Sequence, residues 1–298
     1  MHKKYLTWFW LFGFAALLCF DARAQSASAP GQIKAVKVVG TVTATKDGTA
    51  ISLENGTELS QGYVVNTGRN SSVVLVFSNG ATLDLAQDTS LSIDEFTQDP
   101  FAEEVAVSKL KAEPTVSQTK LNLSRGELVG NVKKLNYDAG SSFSIQTPVG
   151  AAGIRGTTFR IVFRPDGTGK AFFSLVTAEG NVVLATGTIA MPNNLSVPDN
   201  QEITIELDIQ VDDQTGVTVA KQSPGSDPIT VKESSAATIA QVTQAAQAIA
   251  QAVSTAVFTP PPATTPPGTS PPTTTTTTTE NAPPVVVTIP RTTPGDGQ

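Results

Sequence analysis

The chain has very little of the chemistry that most enzyme sites need. Its one cysteine and one histidine among 298 residues are Cys19 and His2, and its two tryptophans are Trp8 and Trp10. The chain beyond residue 19 therefore offers no disulfide, no thiolate or imidazole metal ligand and no Ser-His or Cys-His pair. The absence of tryptophan beyond residue 10 also disfavours a sugar-stacking cleft. We predict a protein that is not an enzyme and that has no catalytic residues, no cofactor and no metal site.

The N-terminus has the pattern of a secretory signal peptide. Lys3 and Lys4 are followed by the apolar run Leu6 to Phe20 and by the small-x-small sequence Ala22-Arg23-Ala24. The apolar run is too short to span a bilayer comfortably. We predict a signal peptide at residues 1–24, cleavage before Gln25, and a periplasmic or extracellular location.

The charge balance is acidic. The chain has 20 basic and 26 acidic residues, and residues 1–24 contain three of the former and one of the latter. Removal of that segment leaves 17 basic and 25 acidic residues, a net charge of −8. An acidic chain without a basic cluster argues against nucleic-acid binding and against docking on anionic membranes. No later segment is apolar enough to span a bilayer, so we expect no stable membrane insertion after cleavage.

From residue 33 to residue 221 the sequence is typical of short β-strands. Valine, isoleucine and threonine are frequent, and dipeptides suited to tight hairpin turns recur at Asp47-Gly48, Asn55-Gly56, Asn79-Gly80 and Asp166-Gly167. The motif around Asn55-Gly56 is repeated 24 residues later around Asn79-Gly80, either by coincidence or as a solenoid repeat. We predict an all-β domain at 33–221, solenoid-like or sandwich-like.

Three segments of this domain allow more detailed predictions. Ser72–Phe77 and Ala81–Leu85 form a hairpin whose first strand is apolar on both faces and therefore interior. The polar segment Asp94 to Gln118 predicts a long surface excursion, after which strands resume at Lys120–Leu123 and, beyond Arg125-Gly126, at Glu127–Val132. Glu202–Val211 alternates apolar and acidic residues, as a half-exposed peripheral strand does.

The C-terminal part changes in character. Between residues 234 and 258 apolar residues recur every three or four positions, which predicts one amphipathic helix that Ser234 or Ser235 caps. This helix either packs along the β-domain or forms a small coiled-coil element for self-association. Residues 259–298 are rich in proline and threonine, and we predict a disordered tail.

The most distinctive stretch is TPVGAAGIRGTTF, at residues 147–159. Strand-like alternation precedes it from Ser142 and follows it to Phe163. Glycines 150, 153 and 156 can adopt backbone angles closed to other residues. We predict a buried strand-turn-strand crossing with close backbone approach, in which glycines frame the lone Arg155.

This stretch resembles the signature of the FecR domain, a bacterial periplasmic module in which a Thr-Pro pair precedes a segment of the form (Val/Ile)-Arg-Gly-Thr-x-Phe. The order of flanking motifs, from Gly62 to Phe163, is also similar to that of the family. The resemblance assigns a structural or partner-contact role to seven residues: Thr147, Pro148, Gly153, Arg155, Gly156, Thr157 and Phe159.

The resemblance also implies a β-rich interaction module. The best-known members are anchored by a transmembrane helix, carry a cytoplasmic segment that acts on a sigma factor, and sense an outer-membrane transporter. Here a cleavable signal stands in place of that segment, so we expect a stand-alone exported form.

Two functional hypotheses follow. The first is an exported, non-catalytic binding or scaffold protein that acts through protein or envelope contacts. The second is a periplasmic signalling component that relays an envelope signal through a separate membrane protein. Arg155 would either contact a partner's carboxylate or a saccharide, or be held by carbonyls of the neighbouring turn.

Overall fold

The computed structural model describes residues 28–186, 194–211 and 218–260. The predicted signal peptide at 1–24 lies outside the described residues, as does the predicted tail at 259–298 except for its first two residues.

The described residues form 21 strands, one α-helix and two 3-10 turns. The strands are β1 Ala29–Pro30, β2 Ile33–Val39, β3 Val42–Lys46, β4 Thr49–Ser52, β5 Glu58–Leu59, β6 Val64–Thr67, β7 Ser72–Phe77, β8 Thr82–Leu85, β9 Ser90–Gln98, β10 Val105–Ala106, β11 Ser117–Asn131, β12 Ser142–Gln146, β13 Gly150–Ile154, β14 Thr158–Pro165, β15 Lys170–Glu179, β16 Asn181–Thr186, β17 Leu195–Pro198, β18 Gln201–Val211, β19 Thr218–Gln222, β20 Lys232–Glu233 and β21 Val257–Phe258. Helix α1 is Ala236–Ala252, and the 3-10 turns are Val107–Lys109 and Tyr137–Ala139.

Two sheets face each other across one apolar core. Sheet A has the order β4-β3-β6-β9-β11-β12-β13-β16-β17. Sheet B has the order β5-β2-β7-β8-β11-β14-β15-β18-β19. The predicted all-β domain followed by one helix is confirmed. Every pairing in these two sheet orders is antiparallel except the parallel β11–β12 pair, and two sheets packed face to face form a sandwich.

Strand β11 belongs to both sheets. Its first part, Ser117 to Arg125, pairs with β9 in sheet A, and its last part, Gly126 to Asn131, pairs with β14 in sheet B. The prediction of two separate strands on either side of Arg125-Gly126 is therefore wrong. Gly126, at φ 103°, bends a continuous strand from one sheet into the other, and a β-carbon there would lie 2.4 Å from the Cα of Thr89.

The prediction of a surface excursion from Asp94 to Gln118 is wrong in two respects. The segment begins later than predicted, and part of it is buried. Strand β9 continues to Gln98, because Phe96 is fully buried against Phe77, with ring centroids 5.1 Å apart. Most of its polar residues are exposed or half-buried, but Gln98 is buried. Beyond it, three apolar side chains that the polar composition obscured are buried: Phe101, Val105 and Val107.

The hairpin across Asn79-Gly80 is present, and its first strand is interior as predicted. Val73, Leu75 and Phe77 of β7 lie between the sheets, whereas Val74 and Val76 belong to a second apolar cluster on the outer face of sheet B. The two apolar faces of this strand therefore have two different partners.

Helix α1 covers that outer face. Val242, Ile249 and Val253 pack in the second cluster with Val129 and Val176 of sheet B. Of the two interpretations of this helix, packing along the β-domain is the one that the structure shows. Within the described ranges, no helix combines the length and apolar character needed to cross a membrane.

The helix is shorter than the expected span of 234–258. It begins after Ser235, whose side chain accepts a hydrogen bond from the Thr238 backbone N–H at 3.1 Å. It ends at Ala252, because Val257–Phe258 becomes a strand that pairs with Val105–Ala106 and buries Phe258.

Candidate interaction surface around Arg155

The Thr147-Pro148 pair forms the turn that joins β12 to β13. The Thr147 N–H donates to the Gly150 carbonyl at 2.9 Å, and the Gly150 N–H donates back at 3.1 Å. The Thr147 hydroxyl also accepts from the Val149 N–H at 3.2 Å. Val149 is fully buried, so this turn anchors the chain in the core. Thr147 and Pro148 therefore occupy structural positions.

The glycine-containing stretch that follows contains a strand that the sequence analysis missed. We expected one crossing between two strands, but residues 150–154 form β13, which pairs with β12 and β16 in sheet A. Ala152 and Ile154 point into the core. Gly153 lies within this strand, and a β-carbon there would meet only the Val183 carbonyl oxygen at 3.6 Å. The expected close approach is therefore absent at Gly153.

The crossing itself consists of Arg155, Gly156 and Thr157, which connect β13 in sheet A to β14 in sheet B. Gly156 has φ 63°, and a β-carbon there would lie 3.3 Å from the Cα of Lys134. The Thr157 carbonyl accepts from the Val132 N–H at 2.9 Å, and its side chain is buried. Phe159 is fully buried between the sheets. Six of the seven motif residues thus hold the turn, the strand or the crossing in place.

Arg155 differs from the other motif residues because its side chain is exposed. Its guanidinium carbon lies 5.3 Å from the centroid of the Tyr137 ring, a cation–π contact. The Tyr137 hydroxyl donates a hydrogen bond to the carbonyl of Ile154, which fixes the ring beneath Arg155. Among the described residues, no carbonyl of the neighbouring turn accepts a hydrogen bond from Arg155, and its side chain is exposed.

Burial and two charged neighbours set the pKa of Tyr137. Partial burial raises the pKa of the Tyr137 hydroxyl to about 12, with Arg155 acting to lower the pKa and Glu113 to raise it. The Glu113 carboxylate accepts hydrogen bonds from the Ser117 hydroxyl at 2.7 Å, from the Asn136 N–H at 2.6 Å and from the Ser141 hydroxyl. These hydrogen bonds hold Glu113 near Tyr137.

Tyr137 and Glu113 were not found from the sequence. Each lies in a segment without a regular period, and only the tertiary fold brings them to the motif. This surface presents the Arg155 guanidinium over the aromatic ring of Tyr137. No group of three or more acidic, histidine or cysteine residues that could hold a metal ion occurs in the part of the chain that the structure describes.

Comparison with known proteins identifies the domain. Residues 63–183 match the family described as FecR protein, which confirms the FecR domain expected from the motif. No curated protein matches the chain.

Two crystal structures of a candidate anti-sigma factor from Parabacteroides distasonis are similar to the chain. The first has 12% identity and a TM-score of 0.35, and the second has 11% and 0.34. Each similarity covers 54% of this chain and 59% of the other. The chain thus spans about three fifths of the length of these relatives.

Proposed function

We propose that this chain is an exported, non-catalytic binding or scaffold protein built on a FecR domain, and that it contacts its partner through the surface around Arg155. The proposal rests on the contrast between Arg155 and the other six residues of the motif. Six of its residues hold the turn, strand and crossing, whereas the Arg155 side chain is exposed over Tyr137. An exposed guanidinium on a rigid turn is suited to recognising carboxylates.

A second candidate is a signalling component that senses an envelope ligand and relays it through a separate membrane protein. The match of residues 63–183 to the FecR family supports a signalling or regulatory role in general. The N-terminal signal pattern supports a periplasmic or extracellular place of action for both candidates.

An affinity capture from the native envelope fraction tests the proposal. The bait is the chain from Gln25 onward, alongside Arg155→Ala and a matched control, Arg69→Ala. Arg69 is also exposed, but it lies in the turn before β7, at the opposite end of that strand from the Asn79-Gly80 turn. We expect wild type and Arg69→Ala to recover the same envelope proteins and Arg155→Ala to lose them.

The identity of the captured material separates the two candidates. Recovery of a transporter or membrane sensor supports signalling, whereas recovery of wall or surface material alone supports a scaffold. Equal recovery by wild type and Arg155→Ala would show that Arg155 is not part of the contact.

A further inference from the structure

The fold gathers basic residues at one end of the sandwich, next to the Asn79-Gly80 turn. A β-carbon at Gly80 would lie 2.9 Å from the Cδ1 of Leu110 and 3.0 Å from the Cγ of Lys133, so these two segments touch the same turn. Lys134 forms an isolated β-bridge with Ala112 and approaches Gly156. The residues brought together, which we name the basic end, are Lys109, Lys111, Lys133, Lys134 and Arg155.

The basic end corrects the expectation that the chain has no basic cluster. Its members come from three segments that are separate in sequence, so no run of basic residues reveals it. Four of the five are exposed, and Lys133 is half-buried. The acidic composition of the whole chain, with a net charge of −6, conceals this local excess.

The charges of the basic end have no ionic partner within the described residues. The ion pairs of the described chain lie elsewhere, as between Arg160 and Glu127 at 2.7 Å. The carboxylates of the same or adjoining segments are Asp99, Glu103, Glu104, Glu113, Asp138 and Glu179. None of them lies within ion-pair distance of a basic-end residue, and Glu113 already accepts three hydrogen bonds. These cations are thus left available to a ligand.

We infer that the basic end docks an acidic segment of a partner protein, an inference that rests on the proposed binding function. The planar guanidinium of Arg155 can bind a carboxylate through two parallel hydrogen bonds. The Tyr137 ring beneath the guanidinium restricts its movement. The surrounding lysines add point charges that steer an acidic chain toward this end.

The charge distribution favours a short acidic protein segment, rather than an extended anionic surface, as the ligand. A membrane or a nucleic acid presents negative charge over a wide area and would also face the acidic remainder of this chain. A short acidic segment can match the basic end alone. The ligand chemistry is therefore a run of Asp or Glu side chains on a protein.

Fluorescence anisotropy with a defined probe tests this inference. The probe is a short labelled peptide of alternating glutamate and serine, compared with the same peptide carrying glutamine in place of glutamate. The first variant combines Lys111→Gln, Lys134→Gln and Arg155→Gln, all exposed. The control combines Arg69→Gln, Arg125→Gln and Lys221→Gln, which are exposed and change the net charge equally.

We expect the basic-end variant to bind the glutamate peptide about tenfold more weakly than wild type, since three exposed ion pairs each contribute a small factor. The control variant should retain the affinity, the glutamine peptide should not bind, and high salt should weaken binding. Equal weakening by both variants, or equal binding of both peptides, would overturn the inference.

Two further results would overturn the inference while leaving the binding function intact. One is capture of the native envelope partner by a Lys111→Gln/Lys134→Gln variant as well as by wild type, while Arg155→Ala loses it. The other is a combination of three results: wild type binds phosphatidylglycerol vesicles, the basic-end variant does not, and the glutamate peptide binds neither protein. That combination would assign the surface to a membrane.

Discussion

Phe159 fills the space above Gly130 so closely that a β-carbon on Gly130 would lie 2.4 Å from the Cζ of the Phe159 ring. Gly130 lies in the part of β11 that pairs with β14, and the two residues are direct cross-strand neighbours. The family-motif phenylalanine is therefore accommodated by a glycine on the strand that joins the two sheets. This contact ties the crossing at Arg155 to the centre of the sandwich.

Substitution Gly130→Ala should lower the free energy of unfolding by about 1–3 kcal/mol, because the added methyl overpacks the core against Phe159 and Leu83. Urea unfolding measures the change. Gly153→Ala is the matched control, since a β-carbon there would make only an ordinary contact, 3.6 Å from the Val183 carbonyl oxygen, in a strand; it should be neutral or stabilising by up to about 1 kcal/mol. A larger loss at Gly153 than at Gly130 would contradict this account of the motif.

The bend of β11 at Gly126 should be more sensitive than an open turn with the same backbone angle. Gly126 has φ 103° and faces Thr89, whereas Gly140 has φ 100° and nothing within 4 Å. We expect Gly140→Ala to cost about 1–2 kcal/mol of stability from backbone strain, and Gly126→Ala about 3–5 kcal/mol from strain and overpacking together. Thermal and urea unfolding would measure both, and equal losses would mean that the bend tolerates a side chain.

Docking of helix α1 on sheet B should contribute directly to stability. Truncation of the buried Ile249 to alanine should lower the free energy of unfolding by about 2–4 kcal/mol. Gln247→Ala, on the exposed side of the helix, should change it by less than about 0.5 kcal/mol. A change of oligomeric state in Ile249→Ala without loss of stability would instead support a coiled-coil role, and sedimentation would detect it.

Alkaline pH should destabilise the fold through Tyr137. Because burial raises the pKa of its hydroxyl from about 10 to about 12, the folded state retains a proton that the unfolded state loses. The stabilisation is complete below about pH 10 and is lost between about pH 10 and 12. With 36% of Tyr137 exposed, solvent screening limits the effect to below about 1 kcal/mol. Tyr137→Phe should abolish this part of the pH dependence.

The direction of each neighbour's influence on Tyr137 gives a separate prediction. Arg155→Ala should raise the pKa of Tyr137 further, and Glu113→Gln should lower it. Tyrosinate absorbance against pH, with the Tyr137→Phe titration subtracted, measures each shift. An unchanged pKa in both variants would show that Arg155 and Glu113 do not lie beside Tyr137 in solution.

Much of the architecture could be predicted from local pattern. Strand alternation predicted the β-domain, and spacing predicted the helix. The errors have a common cause, since each depended on contacts distant in sequence. The break expected at Arg125-Gly126 is a bend of one strand, which requires the second sheet. The excursion after Asp94 begins later, because Phe96 has a core partner in Phe77.

The candidate surface was predictable only in part. Arg155 and its glycine frame are contiguous, so the motif identified them. Tyr137, Glu113 and the lysines of the basic end come from other segments, and no local period marks them. Their placement follows from how β11 and the 101–113 segment fold onto the Asn79-Gly80 turn.

The most direct test of the binding surface is site-specific photo-crosslinking in the native envelope. Benzoylphenylalanine would replace Lys134 in one variant and Arg69, at the opposite end of the sandwich, in another. The account predicts that illumination yields a protein adduct from position 134 and none from position 69. Adduct formation from position 69 alone, or equally from both positions, would contradict the assignment of the basic end as the surface that contacts the partner.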